Sequence, residues 1–481
     1  MKNSVPKNTV YNIIKSCSAV VFPLITFPYI SRVLLTDNVG KVNFGSSIVS
    51  YFSLIASLGI TTYAVRECSK VKNDKEKLGA VASEILSINI CTTVIAYLAL
   101  AVLLLVARPL HAYRELIVIQ SLSIAFTTIG ADWLNTTLED FRYITIRTFL
   151  FQLVSLLLMF IFVKEPDDYI KYACITVISS SGGNIANVFY RKRYCRTRFT
   201  KEMQLKKHLP PIILLFAMIL AQQVFVNSDT TILGILRGDH EVGLYSTSVK
   251  IYNIVSTLMT SVAWVVMSEL SYSFSKKDYK RVNALLKYVI GFTATFGIPC
   301  VVGMGILAPQ IIEIIAGPSY IEASISLRIL AVSMAFSLIW GIVMNMILLP
   351  AGVDKPCLFS CIISAVVNII ANLIFIPSYG FVAAAATTAA SQVIGLIICI
   401  PFIDKNVVFQ NKCATLLGPI IGTICMTIYL IYCINVFSGL WFIAITGIVG
   451  SIIIYFIFQI LLKNAWLIEF MGKFFEKIKK D

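Results

Sequence analysis

Six ionisable side chains stand inside long apolar runs: Lys15, Arg32, Asp132, Asp229, Lys250 and Arg328. A charge in hydrocarbon is costly, so such residues pair, reach an interface, or serve transport. Four of the six are cations, which suits an anionic cargo. Lys15, about one turn into its run, either snorkels to the surface or faces a cavity. Arg32 stands near the far end of the same run, and Arg328 is nearly two turns into a later one. Asp132 ends the fourth run, where a helix-end or structural role is expected. Asp229 and Lys250 flank the short turn 237–242, each ~10 Å from its boundary at 1.5 Å per residue. They can meet as a structural ion pair. Alternatively, Asp229 neutralises Lys250 until an anionic head group competes for it.

Covalent chemistry has no such foothold. The three histidines, His111, His208 and His240, are scattered. The twelve cysteines include no Cys-x-x-Cys pair. Cys17, Cys91, Cys174, Cys300, Cys361, Cys399, Cys425 and Cys433 fall in apolar runs and read as small hydrophobes. No Ser/His/Asp, Cys/His or paired-carboxylate set is recognisable. No catalytic residue, metal site or cofactor is expected, and an enzyme is disfavoured.

The elements that must carry the charges are membrane helices. Hydrophobic residues make up 58% of the chain, charged residues 14%, and mean hydropathy is +0.83. About fourteen runs approach the ~20 residues that cross a bilayer. They are 10–35, 43–65, 80–107, 115–137, 146–163, 168–190, 209–236, 243–268, 287–308, 322–349, 357–376, 380–403, 413–435 and 439–462. Spanning backbone in lipid must satisfy itself, so an all-α polytopic membrane protein is expected. The first run lacks the cleavage site of a signal peptide.

The net charge of +15 is unevenly distributed. The basic segments 66–77, 191–207, 276–281 and 463–480 fall on one side of the expected topology. The other side carries only Lys41, Arg108, Arg114, Lys164 and Arg237. The positive-inside rule then puts both termini in the cytoplasm. These cations set topology and meet anionic lipid heads. Nothing beside them reads as a nucleic-acid module.

Residues 39–60 align with 242–263. Val39-Gly40 matches Val242-Gly243, and Ser47, Ser50, Ser53 and Ser57 match Lys250, Asn253, Ser256 and Thr260. Steps of three and four place each set on one helix face. Such residues can simply aid helix packing. Two stripes in one register, one bearing a lysine, suggest a lined cavity between helices one, two, seven and eight. Asn368 and Asn372 share a face of helix eleven and are expected to bond across helices. The chain then divides into a six-helix lobe (1–190), a basic linker (191–208), a second six-helix lobe (209–403) and an addition (404–481). Parallel repeats of this kind mark transporters that bind cargo between the halves and rock. In the tail, Trp466, Phe470, Phe474 and Ile478 suggest an interfacial amphipathic helix.

Five segments carry a family resemblance: Ile30–Ile60, Gly130–Thr148, Asn227–Ile251, Leu307–Ala323 and Asn368–Ala385. In this order they resemble the polysaccharide-transport branch of the multidrug/oligosaccharidyl-lipid/polysaccharide (MOP) exporter superfamily. Within it they resemble Wzx-type flippases of O-antigen and capsule repeat units. One departure is local: the glycine usual after Arg-x-Leu of helix one is Leu35 here. The resemblance implies a MATE-like fold and a flippase moving an undecaprenyl-diphosphate-linked oligosaccharide to the outer leaflet of the bacterial inner membrane. Lys15, Arg32, Lys250 and Arg328 would hold the diphosphate, and Ser47, Ser50, Ser53, Asn253, Ser256 and Thr260 the sugars. Membrane lipids, a polysaccharide polymerase and chain-length machinery are the implied partners.

Two transporters compete with this reading. A MATE-type exporter of cationic drugs needs embedded acids, and the first helix has only cations. A flippase of the peptidoglycan lipid precursor would share the fold.

Overall fold

The structure, a computed structural model, describes residues 5–201, 203–408, 413–464 and 466–468. It is all-α, and no strand occurs among the described residues. The first part of the chain forms α1 (Val5–Ser57), α2 (Ile60–Ser69), α3 (Lys75–Val106), α4 (Arg114–Gly130), α5 (Trp133–Thr137), α6 (Phe141–Phe162), α7 (Tyr169–Val177), α8 (Gly183–Tyr190) and α9 (Leu205–Arg237). The remainder forms α10 (Asp239–Ser275), α11 (Tyr279–Phe292), α12 (Ile298–Ile306), α13 (Ala308–Ile315), α14 (Ala323–Gly341), α15 (Asp354–Cys399), α16 (Cys413–Val436) and α17 (Leu440–Leu461). The π-helical turns Ile178–Gly182 and Thr293–Gly297 join α7 to α8 and α11 to α12, and Ile342–Leu348 extends α14. The start of α3 is capped: the Asp74 carboxylate accepts the Glu76 and Lys77 N–H groups. The Lys77 N–H is the main reason this carboxyl stays below its ordinary range.

Every expected span falls on these elements. By length and composition, eight helices among the described residues can cross a membrane. Two of these run 50 and 49 residues, against the ~20 that one crossing needs. Each is bent: Val20–Ser69 at Leu35, and Asp354–Phe402 at Gly380. The surface fits lipid. Leu105 is 71% exposed and Ile428 64%, with many apolar neighbours equally bare. In water so large an apolar surface would drive association.

The chain forms two compact units, Met1–Gly243 and Leu244–Asp481. In the first, α1 packs on α3, α4, α6 and α9. Helix α9 belongs to this unit, although the sequence repeat makes it the head of the second half. In the second unit α14 lies along α15, α12 against α14 and α16, and α16 pairs with α17. Trp466, expected at the membrane interface, is instead buried against Tyr288, Phe292 and Phe296. Phe470, Phe474 and Ile478 lie outside the described residues.

The bend in α1 has a counterpart. Extending the alignment of 39–60 on 242–263 back along the chain pairs Leu35 with Gly238. Leu35 has φ 61° and ψ 177°; Gly238 has φ 89° and ψ −173°. Both repeats turn between their first two helices through the same backbone conformation, one open almost only to glycine. The departure at position 35 thus leaves the turn intact but strained by ~1–3 kcal/mol. The leucine side chain is 45% exposed, so its packing returns little of that. Leu35→Gly is expected to raise the thermal unfolding midpoint of the purified protein, and Gly238→Leu to lower it. A lower midpoint for Leu35→Gly excludes strain at this turn.

Candidate functional site

Helix α1 meets α9 and the start of α10 through Gly40, Phe44, Ser47 and Tyr51, one helical face. At Gly40 the backbones nearly touch: a Cβ there would lie 1.9 Å from the Asp239 carbonyl oxygen. A Cβ on Gly243 would lie 2.2 Å from the Thr36 carbonyl oxygen. Thr36 and Asp239 are equivalent in the repeat, as are Gly40 and Gly243. Each glycine therefore packs on the same position of the other repeat, the reciprocity of a two-fold contact. Asp37 and His240 are also equivalent and pair with each other at 3.0 Å. Beside this crossing the Tyr113 hydroxyl donates to Asp239 Oδ1 at 2.7 Å. The Lys41 ammonium lies 5.0 Å above the Tyr169 ring and donates to Asn38. Lys41, Tyr113, Tyr169 and Asp239 border a cavity of about 160 Å³.

Deeper in the seam, Phe44 covers Gly234. Thr231 Oγ1 donates to Ser47 Oγ at 3.0 Å and lies 3.2 Å from the Tyr51 hydroxyl. Ser47 is buried, its hydroxyl between helices. Asp229 is buried too and lies within electrostatic reach of Tyr51.

The other expected residues are placed as follows. Ser50 donates to the Ser47 carbonyl at 2.6 Å and Ser57 to that of Leu54 at 3.1 Å. Ser53 is half-buried. On α10, Lys250 and Ser256 are half-buried, Asn253 is exposed, and Thr260 bonds the Ser256 carbonyl at 3.0 Å. Hydroxyls bonded to their own helix keep lone pairs for another donor. Arg32 and Arg328 are exposed, and Arg32 NH1 donates to the Pro28 carbonyl at 2.6 Å. The Lys15 side chain lies outside the described residues. Asp132 takes the structural place expected of it, accepting from Arg147 at 2.9 Å and Asn135 at 3.0 Å. Asn372 bonds Asn368 at 3.1 Å and accepts from Thr387 at 2.5 Å. No cluster of three or more His, Cys, Asp or Glu among the described residues could hold a metal ion.

Sequence reasoning missed Tyr51 and Thr231, and a second polar cluster formed by Tyr63, Glu84 and His208. Their partners are remote in sequence, and the only local signal was a hydroxyl or charge in an apolar run.

Long bent helices and a largely apolar surface mark a multi-pass membrane protein, and matches to known proteins place its fold in the MOP transporter superfamily. Solved structures share it. The lipid II flippase MurJ in an inward closed conformation matches with a TM-score of 0.78 and 16% identity, over 95% of this chain and 99% of that one. An inward-facing multidrug resistance MATE transporter matches with 0.56 and 12%, over 80% and 97%. The chain belongs to the polysaccharide biosynthesis protein family, whose sequence profile matches residues 5–268. The MatE profile matches 214–374. A candidate O-antigen transporter of Shigella dysenteriae is 23% identical over 366 residues, 75% of this chain and 90% of that one. A candidate low-salt glycan biosynthesis flippase of Haloferax volcanii is 27% identical over 172 residues, 35% and 36% of the two chains.

The glycine crossing is open to test. Cysteines at positions 37 and 240 are expected to cross-link under mild oxidant, read by peptide mass spectrometry. Adding Gly40→Ala or Gly243→Ala is expected to abolish the link. A link that survives both excludes backbone contact at this point.

Proposed function

We propose that this protein is a flippase for a lipid-diphosphate-linked oligosaccharide, carrying it from the inner to the outer leaflet of the bacterial inner membrane during surface polysaccharide synthesis. The family membership carries this reading, and the relatives described as O-antigen transporter and glycan flippase support it. Undecaprenyl is the lipid that the sequence resemblance implies. On this reading the termini are cytoplasmic, and the crossing of Gly40 and Gly243 lies toward the outside.

The physical task is to move a charged head through hydrocarbon. Unaided, desolvation forbids it. Two cooperating six-helix lobes, 1–190 and 209–403, would enclose the head by alternating access while the lipid tail stays outside. Lys15, Arg32, Lys250 and Arg328 would meet the phosphates. Ser47, Ser50, Ser53, Asn253, Ser256 and Thr260 would offer hydroxyls and amide to the sugars. Outward movement of two negative charges down an inside-negative potential yields roughly 4–5 kcal/mol per 100 mV. A polysaccharide polymerase and chain-length proteins would act next.

Two experiments decide. Deleting the gene is expected to stop surface polysaccharide while lipid-linked repeat units accumulate inside. Unchanged surface polymer in a strain with no second flippase refutes the reading, and arrested peptidoglycan synthesis would replace it with export of the peptidoglycan precursor. The double variant Asp229→Lys with Lys250→Asp keeps the net charge but moves the cation. It is expected to express normally and lose most export. Export at the wild-type level assigns both residues to structure and leaves the diphosphate to Arg32 or Arg328.

A further inference from the structure

The first turn of α9 is fastened by three side chains from three helices. Tyr63 comes from α2, Glu84 from α3 and His208 from α9. His208 is fully buried, and both ring nitrogens are engaged. The Tyr63 hydroxyl lies 2.7 Å from Nδ1, and Glu84 Oε2 lies 2.8 Å from Nε2. Gln204 donates to the other Glu84 oxygen at 2.9 Å. The Tyr63 ring stands edge-on to the imidazole. The linker ahead of α9 follows the same surface: the Arg198 and Thr200 N–H groups donate to Ser83 and Ser87 of α3.

Packing alone does not call for this trio. Apolar residues of similar size hold buried seams as well or better. What the trio adds is a place for a proton. With neutral His208, Nε2–H donates to Glu84 and the Tyr63 O–H donates to Nδ1, one hydrogen in each contact. A proton taken from water onto Nδ1 reverses the second bond, so that Nδ1–H donates to the tyrosine oxygen. The first bond, already charge-assisted through the Glu84 carboxylate, becomes an imidazolium–carboxylate ion pair. The surrounding charges are few. Helix α2 brings Arg66, whose guanidinium lies 5.4 Å from the Tyr63 ring, and Glu67, bridged to Lys70 at 2.8 Å. Helix α3 brings Glu84 itself. Lys206 and Lys207 of α9 and Lys201 of the linker are exposed. Cys195 of the linker and Cys68 of α2 are buried thiols of the same cluster.

We propose that His208 is a proton-binding site whose protonation tightens the hold of α2 and α3 on the first turn of α9. The protonated ring donates from both nitrogens, to Glu84 and to Tyr63, whereas the neutral ring donates from one. The clamp stands without any reading of the cargo; its effect on transport rests on the function proposed above. The pair at the other end of α9, Asp37 with His240, is more than half exposed on both sides. Solvent screens such a pair, and it gives little hold.

The test needs no substrate. Amide hydrogen exchange of segment 204–212 in the purified full chain is compared between about pH 5.5 and 8.5, each rate divided by its intrinsic value. Exchange about tenfold slower at the acid end is expected, with histidine-selective nitrogen NMR changing over the same interval. Only three histidines are present, so His208→Gln identifies the signal. Glu84→Gln keeps a hydrogen-bond acceptor but removes the charge, and is expected to erase the pH dependence. Should that variant not fold, His208→Gln must erase it instead. Wild-type exchange independent of pH, or a pH dependence that persists in the variant, overturns the proposal. Loss of surface polymer plays no part in this readout, so the flippase reading and the proton site fail separately.

Discussion

In hydrocarbon there is no water to complete a broken hydrogen bond. That constraint governs this chain. Within the spans the backbone must stay helical, and among the described residues the breaks there are short. The bends at Leu35 and Gly380 each redirect the chain without a long loop. The three π-helical turns keep their segments helical while shifting the side-chain register. Polar side chains obey the same rule. Ser50, Ser57 and Thr260 bond carbonyls of their own helices. Ser47 donates to the Phe44 carbonyl of its own helix and accepts from Thr231 across a seam.

Inside the first unit this economy makes α9 a tethered element. Close backbone contact between α1 and the start of α10 holds the chain just beyond one end, where Gly40 and Gly243 each leave room for the other repeat. Side-chain hydrogen bonds hold the other end, at His208. The two attachments differ in kind. Backbone contact is short-ranged and indifferent to charge, whereas the histidine cluster is electrostatic and changes with protonation. Between them lies the layer of Phe44, Ser47, Tyr51 and Thr231. A single helix thus links a steric closure to a chemical one.

Much of the fold was legible because hydropathy is a long-range average. Twenty apolar residues in a row need no partner to declare a crossing. The two-repeat plan was legible through Gly40 and Gly243, and the structure gives those glycines a reason in their reciprocal contact. The departure at Leu35 was visible as well, and its conformation equals that of Gly238. The site was less legible. Ser47 was read from its helical period, which carries no trace of the Thr231 hydroxyl that reaches it from α9. The Tyr63–Glu84–His208 trio escaped because its members come from separate helices and none has a motif. Trp466 was read from an amphipathic period, yet it fills a gap beside Phe292 and Phe296 in the second unit.

The unequal turns give the repeats unequal energies. One plan of backbone serves both, but the first carries leucine where the second carries glycine. Any movement that lets position 35 leave its glycine-only conformation releases strain of ~1–3 kcal/mol, and the matching movement at Gly238 releases almost none. The first hairpin behaves as a loaded spring and the second as a free hinge, a difference written into one side chain.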